Sequence, residues 1–445
     1  MSGRADALQP PWSWLRGAAF LARRELLSLF VTPLAYLVGT LFLLNQGWNF
    51  SLLLQVLNDP LAAPGPVMQF YFGGSFFILW LPVILLCAAV SMRLVVEERR
   101  QGTLEALMTA PLSASQIIVG KFAGSFLFYV GLWLPTIAFY VLLRGAGVQP
   151  ELGPIITGYV GVLLVGGSFL AVGVVASTVA RSQLAAAITT AVTCTIALMA
   201  GLLVDQVEST WIAGALQWTS LLAMMQELAQ GIVDPHWVFF HLGITVVLLA
   251  FAVVVLNPRR RVENVLQLVL FALTVGYLAV FASRHFERGD WTTGRVYTLS
   301  DRAQDVLGEL KMPINVTVIV PGTIGAGRPN PLLGELREVL LRMRNAAGDG
   351  LLQVRFLDPD RDRQQAEPMI QDFSLGGREL ADGVVLVRSG QGAALRKSHL
   401  LPDELVTYAT GPGVQTSGPR VKEFRGEEAL LAKFLQVSDP KRVVV

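Results

Sequence analysis

Four side chains in the C-terminal third, Asp358, Asp360, Asp362 and His399, are of the types that bind divalent cations or move protons. Carboxylates at alternate positions could share a cation, but the glycine and distal glutamate of a calcium loop are missing. Arg361 and Arg363 sit among them, which favours ion pairing on a solvated turn. The segment VPGTIGAGRPNP (320–331) follows a strand-like run and precedes a helix-like one, as a phosphate-binding loop would. Its length and its prolines, Pro329 and Pro331, read instead as a flexible connection. No G-x-x-x-x-G-K-[ST] loop occurs: Gly120-Lys121 lacks both the upstream glycine and the following Ser or Thr. Cys87 and Cys194 both lie in apolar runs and read as small hydrophobes rather than a disulfide or a metal site. No catalytic residue, bound cofactor or metal is therefore expected on this chain.

The elements that position these residues divide into two regimes. The chain of 445 residues is 53% hydrophobic and only 15% charged, with mean hydropathy +0.53. Charge is sparse through the first half and abundant after Arg284, so at least two domains are expected. The net charge of +2, without long basic runs, argues against nucleic acid as a ligand. Residues 1–16 contain Asp6, Gln9, Pro10 and Pro11 and do not read as a cleavable signal peptide.

A helix needs about 20 mostly apolar residues to cross the hydrocarbon core. Such runs occur at roughly 33–54, 75–95, 122–143, 155–179, 184–204, 238–256 and 264–283. The first carries Asn45, Gln46 and Asn49, amides that would face other helices or a cavity rather than lipid. These three could line a translocation path; helix packing is the other role open to them.

Basic residues set the orientation. Arg16, Arg23 and Arg24 precede the first run, and Arg93, Arg99, Arg100 and Lys121 lie between the second and third. Arg181 separates the fourth and fifth, and Arg259, Arg260 and Arg261 the sixth and seventh. The alternate loops 55–74 and 205–237 hold no Lys or Arg, and 144–154 only Arg144. Lys and Arg near span ends stay cytoplasmic, so the N-terminus is expected inside and everything after Arg284 outside.

Ahead of the first span, WSWLRGAAFLARRELLSLF (12–30) mixes aromatic, aliphatic and basic residues at helical spacing, as an interfacial helix on the cytoplasmic leaflet would. The loop EERRQGTLEALMTAPLSASQIIVGKF (97–122) predicts a short helix over TLEALMTA, a stop at Pro111, and a new helix capped by Ser113. Such a helix–break–helix would present a firm knob to something outside the membrane. A charged, merely solvated loop is the alternative on spacing alone.

That loop resembles the first cytoplasmic loop of type-2 ABC exporter permeases. The matching positions are Glu97, Glu98, Gly102, Thr103, Leu104, Glu105, Leu107, Pro111, Ser113, Ile117, Gly120 and Lys121. The resemblance implies a six-span permease domain over 33–257, preceded by a cytoplasmic segment, 1–32, with its interfacial helix. It also implies a coupling helix that docks into a groove on a separate, dimeric ATPase, which carries the ATP and Mg. A homodimer of this chain in a bacterial cytoplasmic (inner) membrane follows from the same resemblance, as does substrate export.

After the seventh run, the sequence predicts a helix capped by Ser300 over 298–311, strands at 314–320, 351–359 and 383–390, and helices at 331–347 and 366–373. Strands alternating with helices predict an α/β layer with a largely parallel sheet. The run 264–283, V-Y-x-L-S-D (296–301), INVTVIV (314–320) and LDPDRD (357–362) resemble the auxiliary subunit of gliding-motility-type ABC transporters. In that family an anchor helix carries an extracytoplasmic α/β domain. The implied fold is thus a six-span membrane helical bundle, one anchor helix (264–283) and an extracytoplasmic α/β domain (296–445). This domain reads as a binding or scaffold module. The auxiliary family ends in a second membrane helix, and DPKRVVV (439–445) reads as a strand start, so a longer protein is expected, with a natural C-terminus as the alternative.

Two other classes compete. A secondary transporter or channel should carry ionisable groups within the spans, whereas Arg144, Asp205 and Glu208 lie only at span ends. A membrane-anchored scaffold or sensor would leave no cytoplasmic output domain.

Overall fold

A computed structural model describes residues 11–58, 67, 70–74, 76–148, 150–206, 210–256, 261–285, 289–292, 299–308, 310, 312–321, 323–324, 328–347, 351–359, 362–373, 375, 383–390, 395–408 and 421–438. The chain forms two compact units, one of Met1–Asn58 with Gly65–Arg295 and the other taking up the chain from Val296 to Val445. Arg259, Arg260, Glu208 and Asp360 lie outside the described residues.

The first unit is all helical apart from one short strand pair. It contains α1 (Pro11–Val31), α2 (Pro33–Asn58), α3 (Phe76–Ser91), α4 (Val96–Arg100), α5 (Thr103–Thr109), α6 (Ala114–Trp133), α7 (Ile137–Gly145) and α8 (Leu152–Val179). It continues through α9 (Gln183–Ala200), α10 (Thr210–Trp218), α11 (Leu221–Gln230), β1 (Ile232–Val233), α12 (Pro235–Leu256), α13 (Arg261–His285) and β2 (Gly289–Asp290). Seven helical stretches, from Pro33–Asn58 to Val265–Ala282, are long and apolar enough to span a membrane. They fall where the apolar runs predict them.

Helix α8 is the central one, with buried residues on all its sides. Small residues let neighbours approach it: a Cβ at Gly166 would stand 2.2 Å from the Tyr129 ring, and one at Gly173 1.9 Å from Ser91 Oγ. The Tyr129 hydroxyl donates to the carbonyl of Val162 at 2.9 Å, so the polar tip of a buried ring is satisfied. Helix α1 lays Ala18, Leu21, Ala22, Glu25 and Leu29 against α6, a helical stripe. Leu15, Phe20, Leu27 and Phe30 remain exposed on its other side.

One stretch departs from the sequence reading. The bare stretch 205–237 holds α10 and α11, and α11 buries Leu221, Met224, Met225, Leu228 and Ala229 against the bundle. Helix α13 packs along α12 and belongs to the first compact unit.

The second unit contains α14 (Asp301–Gly308), β3 (Ile314–Ile319), β4 (Thr323–Ile324), β5 (Arg328–Pro329), α15 (Pro331–Ala346), β6 (Leu352–Leu357), α16 (Arg363–Asp372), β7 (Val384–Ser389) and β8 (Arg396–Leu400). It ends with α17 (Pro402–Leu405), β9 (Val406–Tyr408), β10 (Val421–Phe424) and α18 (Gly426–Ser438). The main sheet runs β6-β3-β7-β8. Only β3 and β6 are parallel; β3–β7 and β7–β8 are antiparallel, so the expectation of a largely parallel sheet is wrong. Strand β7 starts at the end of the sheet where β3 and β6 finish, with Val384 beside Ile319, and so runs back against them; β8 then pairs with it antiparallel.

Side chains alternate across this sheet. Val316, Val318, Val385 and Val387 face a core shared with α14, α15 and α18, while Ile319, Val384 and Leu386 face Ala366 and Ile370 of α16. Ser300 Oγ accepts from the Ala303 amide, which places the predicted cap on α14.

Candidate functional site

The loop after the second span is built on a broken helix. Between α3 and α4, residues 92–95 form a turn, which leaves the amides of Val95 and Val96 without helical partners. Both donate to Ser177 Oγ of α8, at 3.0 and 3.3 Å, and Ser177 donates in turn to the Met92 carbonyl at 3.3 Å. Arg99 donates to the carbonyls of Thr178 and Ala180 at 2.7 and 3.1 Å, which satisfies the last turn of α8. The exit of the second span is thereby tied to the end of the fourth.

On α4 the two adjacent glutamates point apart. Glu97 accepts from Arg100 at 2.9 Å and also from Gln101 and from Gln183 of α9. Glu98 turns inward and meets Lys121 Nζ of α6 at 2.9 Å and Arg24 Nη2 of α1 at 3.0 Å. Lys121 also reaches Glu25 Oε2 of α1 at 3.1 Å. Lys121 is 3% exposed, Glu98 8% and Glu25 9%. Two carboxylates and two cations thus close a neutral cluster, the arrangement that makes burial of charge tolerable.

Close backbone approach keeps that cluster in register. A Cβ at Gly120 would lie 2.6 Å from Leu21 Cβ and 2.9 Å from the Ala18 carbonyl, and one at Gly124 2.7 Å from the Ala22 carbonyl and from Glu25 Cβ. The i, i+4 glycines therefore form the seat for α1 on α6.

Gly102 joins α4 to α5 at φ +74°, a backbone region that suits glycine. Leu104 and Leu107 are half-buried against the apolar cluster that holds Leu21, Leu94, Val95 and Ile117. Thr103, Glu105 and Met108 are exposed, so α5 turns a small mixed face outward. Ala110 is extended and Pro111 exposed, and Ser113 opens α6 with a capping box: its Oγ accepts from the Gln116 amide, and Gln116 Oε1 accepts from the Ser113 amide at 2.7 Å. Pro111 and Ser113 act as the sequence predicts.

The amides of the first span are engaged within the subunit. Pro82 cannot donate to the Ile78 carbonyl, and Asn45 Nδ2 donates to it instead at 2.9 Å. Asn49 donates to the Tyr71 carbonyl at 3.1 Å, and the Tyr71 hydroxyl donates to Gln46 Oε1 at 2.8 Å. Gln46 and Asn49 are fully buried, whereas Asn45 lines an apolar groove of about 620 Å³ between α2, α3 and α9.

In the second unit, Asp362 and Asp358 form a local turn in which the Asp358 amide donates to Asp362 Oδ2 at 3.4 Å. His399 sits on β8 opposite Leu386. Among the described residues no group of three or more His, Cys, Asp or Glu could hold a metal. Of the segment 320–331, residues 323–324 and 328–329 pair as a small hairpin that leads into α15, whose N-cap is Asn330. Asp372 accepts from Lys397 at 2.5 Å, which holds its carboxyl below the usual range.

Sequence reasoning misses Arg24, Glu25, Ser177, Gln183 and Gly124. One of them was legible: Glu25 falls on the spacing of Ala18, Leu21, Ala22 and Leu29, and so on the buried stripe of α1. The others are joined to the loop by contacts distant in sequence.

No curated protein matches the chain. The model of a domain of unknown function (DUF7088) matches residues 293–390. The model of the ABC-2 family transporter proteins matches residues 55–282, just over half of the 445 residues, and takes in the loop, its flanking helices and the seventh span. A multi-pass helical membrane unit with this match identifies the chain as a member of the ABC-2 transporter family, in the place of its membrane-embedded transport subunit.

Proposed function

We propose that this chain is the permease of an ABC exporter, that α5 is the element on which a separate cytoplasmic ATPase docks, and that the chain works as a homodimer. The observation that carries the reading is α5 itself. It is an exposed, short helix whose two ends are fixed by the buried Glu98–Lys121–Glu25 cluster, with Arg24 at its edge, and by the Ser113 capping box. A push on its outer face passes to α1 and α6 together, and through Ser177 and Arg99 to α8. ATP and Mg belong to the ATPase partner in this reading, and ATP-driven closure of that partner supplies the push.

The N-terminus and the loop face the cytoplasm in this arrangement, and the second unit lies outside the cell membrane, a reading that the distribution of Lys and Arg supports. Exposed Leu15, Phe20, Leu27 and Phe30 on α1 suit an interfacial helix beside basic Arg23 and Arg24. Asn45, on the wall of the groove between α2, α3 and α9, is the residue of the three amides placed to meet a substrate.

Affinity purification of the full chain in mild detergent, with ATP hydrolysis as the readout, tests the reading. An ATPase should co-purify, and Glu105→Arg with Met108→Asp should abolish that association while leaving the chain folded. Retention of the ATPase by this variant would refute the docking role of α5.

A further inference from the structure

Helix α11 is fixed from two directions. Its apolar face is buried in the bundle, where Thr157 of α8 donates to the Leu228 carbonyl and Trp237 Nε1 donates to Glu227 Oε2 at 2.8 Å. Its far end is capped by Gly231 at φ +95°, and the chain then runs directly into β1. The strand that pairs with β1 comes from beyond the seventh span: Ile232 faces Asp290 and Val233 faces Gly289. The Trp291 amide donates to the Gly231 carbonyl at 2.9 Å, which extends the pairing to the cap itself.

A pair of two-residue strands is marginal by itself, but this one has a seat. A Cβ at Gly153, in the first turn of α8, would stand 1.9 Å from the Trp291 carbonyl oxygen, so the backbone at 291 occupies the space a side chain would take. A Cβ at Gly231 would stand 3.0 Å from Thr292 Cγ2, and Thr292 is buried. Asp290 Oδ1 accepts from both the amide and the hydroxyl of Thr292, at 2.9 and 2.6 Å, which shapes the turn over that seat. A helix serving only as an anchor would need none of these contacts.

We propose that residues 289–292 are a latch that holds α11 against α8, and that the domain beginning at Val296 acts on the transport core by closing or releasing it. Val296 follows Thr292 by four residues, so a pull on the domain along this part of the chain reaches the latch. Release frees the cap of α11 and lets its apolar face leave the bundle. The meaning of that motion for transport rests on the permease reading; the latch itself does not.

Hydrogen exchange of the full chain in lipid nanodiscs tests the inference. Val233→Cys with Gly289→Cys, in a Cys87→Ser and Cys194→Ser background, can be joined across the strand pair. Oxidation should slow exchange over 221–231 several-fold relative to the same protein reduced. Gly153→Leu, which fills the seat, should raise exchange over 221–233 at least tenfold and leave 240–256 unchanged. A protease site placed between Thr292 and Val296, once cut, should raise α11 exchange several-fold. Equal exchange of α11 in oxidised and reduced protein overturns the latch, even if Gly153→Leu fails to fold; no change on cutting overturns the role of the domain. Loss of ATPase association is read separately, so failure of the permease reading leaves these results interpretable.

Discussion

Lys121 Nζ lies 2.9 Å from Glu98 Oε1, and the pair joins the start of the third span to the exit of the second in a place almost closed to water. Removing the lysine takes away the cation that Glu25 meets and leaves Glu98 with only the half-exposed Arg24, so the buried cluster carries an excess negative charge. Lys121→Met should therefore destabilise the first unit by about 3–5 kcal/mol, whereas Arg24→Ala, at a side chain half open to solvent, should cost at most about 1 kcal/mol. Thermal unfolding of the detergent-solubilised protein, followed by tryptophan fluorescence, measures both. Equal losses would contradict the assignment of Lys121 as the centre of the cluster.

The seat of α1 on α6 predicts a steric effect with no change of charge. Gly124→Leu places atoms where the Ala22 carbonyl and Glu25 now stand, so α1 must lift away. A cysteine at Leu21, 4% exposed and near Gly120, should be inert to maleimide in the parent protein and react in the Gly124→Leu variant. Unchanged protection would show that α1 is held by other contacts.

Ser177 accepts two backbone amides at the break between α3 and α4. Ser177→Ala leaves both buried donors unpaired, at a cost of about 1–3 kcal/mol, and should loosen the exit of the second span. Hydrogen exchange at 92–98 should rise while that of α12 stays constant.

Topology gives an independent check on the basic-residue argument. Reporter fusions ending at Arg260 and at Gly390 should report opposite sides of the membrane. The same side for both would remove the odd number of spans and the outside placement of the second unit.

Much of this architecture is legible in the sequence because each part of it is local. Seven apolar runs, the helix stop at Pro111, and the caps at Ser113 and Ser300 depend on neighbours within a few residues. The ion cluster was not legible, since Glu25 and Lys121 are 96 positions apart and nothing local selects that pairing. Asn45 shows the same limit: its amide is recognisable as polar in a span, but its partner is a carbonyl orphaned by Pro82 on another helix. The direction of β7 is not legible, because strand–helix alternation fixes which elements form and not the end of the sheet from which a strand is entered. Helix α11 carried a readable signal in Ser220, which accepts from the Ala223 amide, and in the spacing of Leu221, Met224, Met225 and Leu228.

In the proposed complex the outward face of α5 touches the ATPase. A photoreactive benzoylphenylalanine in place of Met108, in the full chain co-expressed with its ATPase, measures this directly. An adduct of this chain with the ATPase is expected on illumination, absent when the same group replaces Leu352, which is buried in the second unit. Full incorporation at Met108 in the intact complex with no ATPase adduct would contradict it.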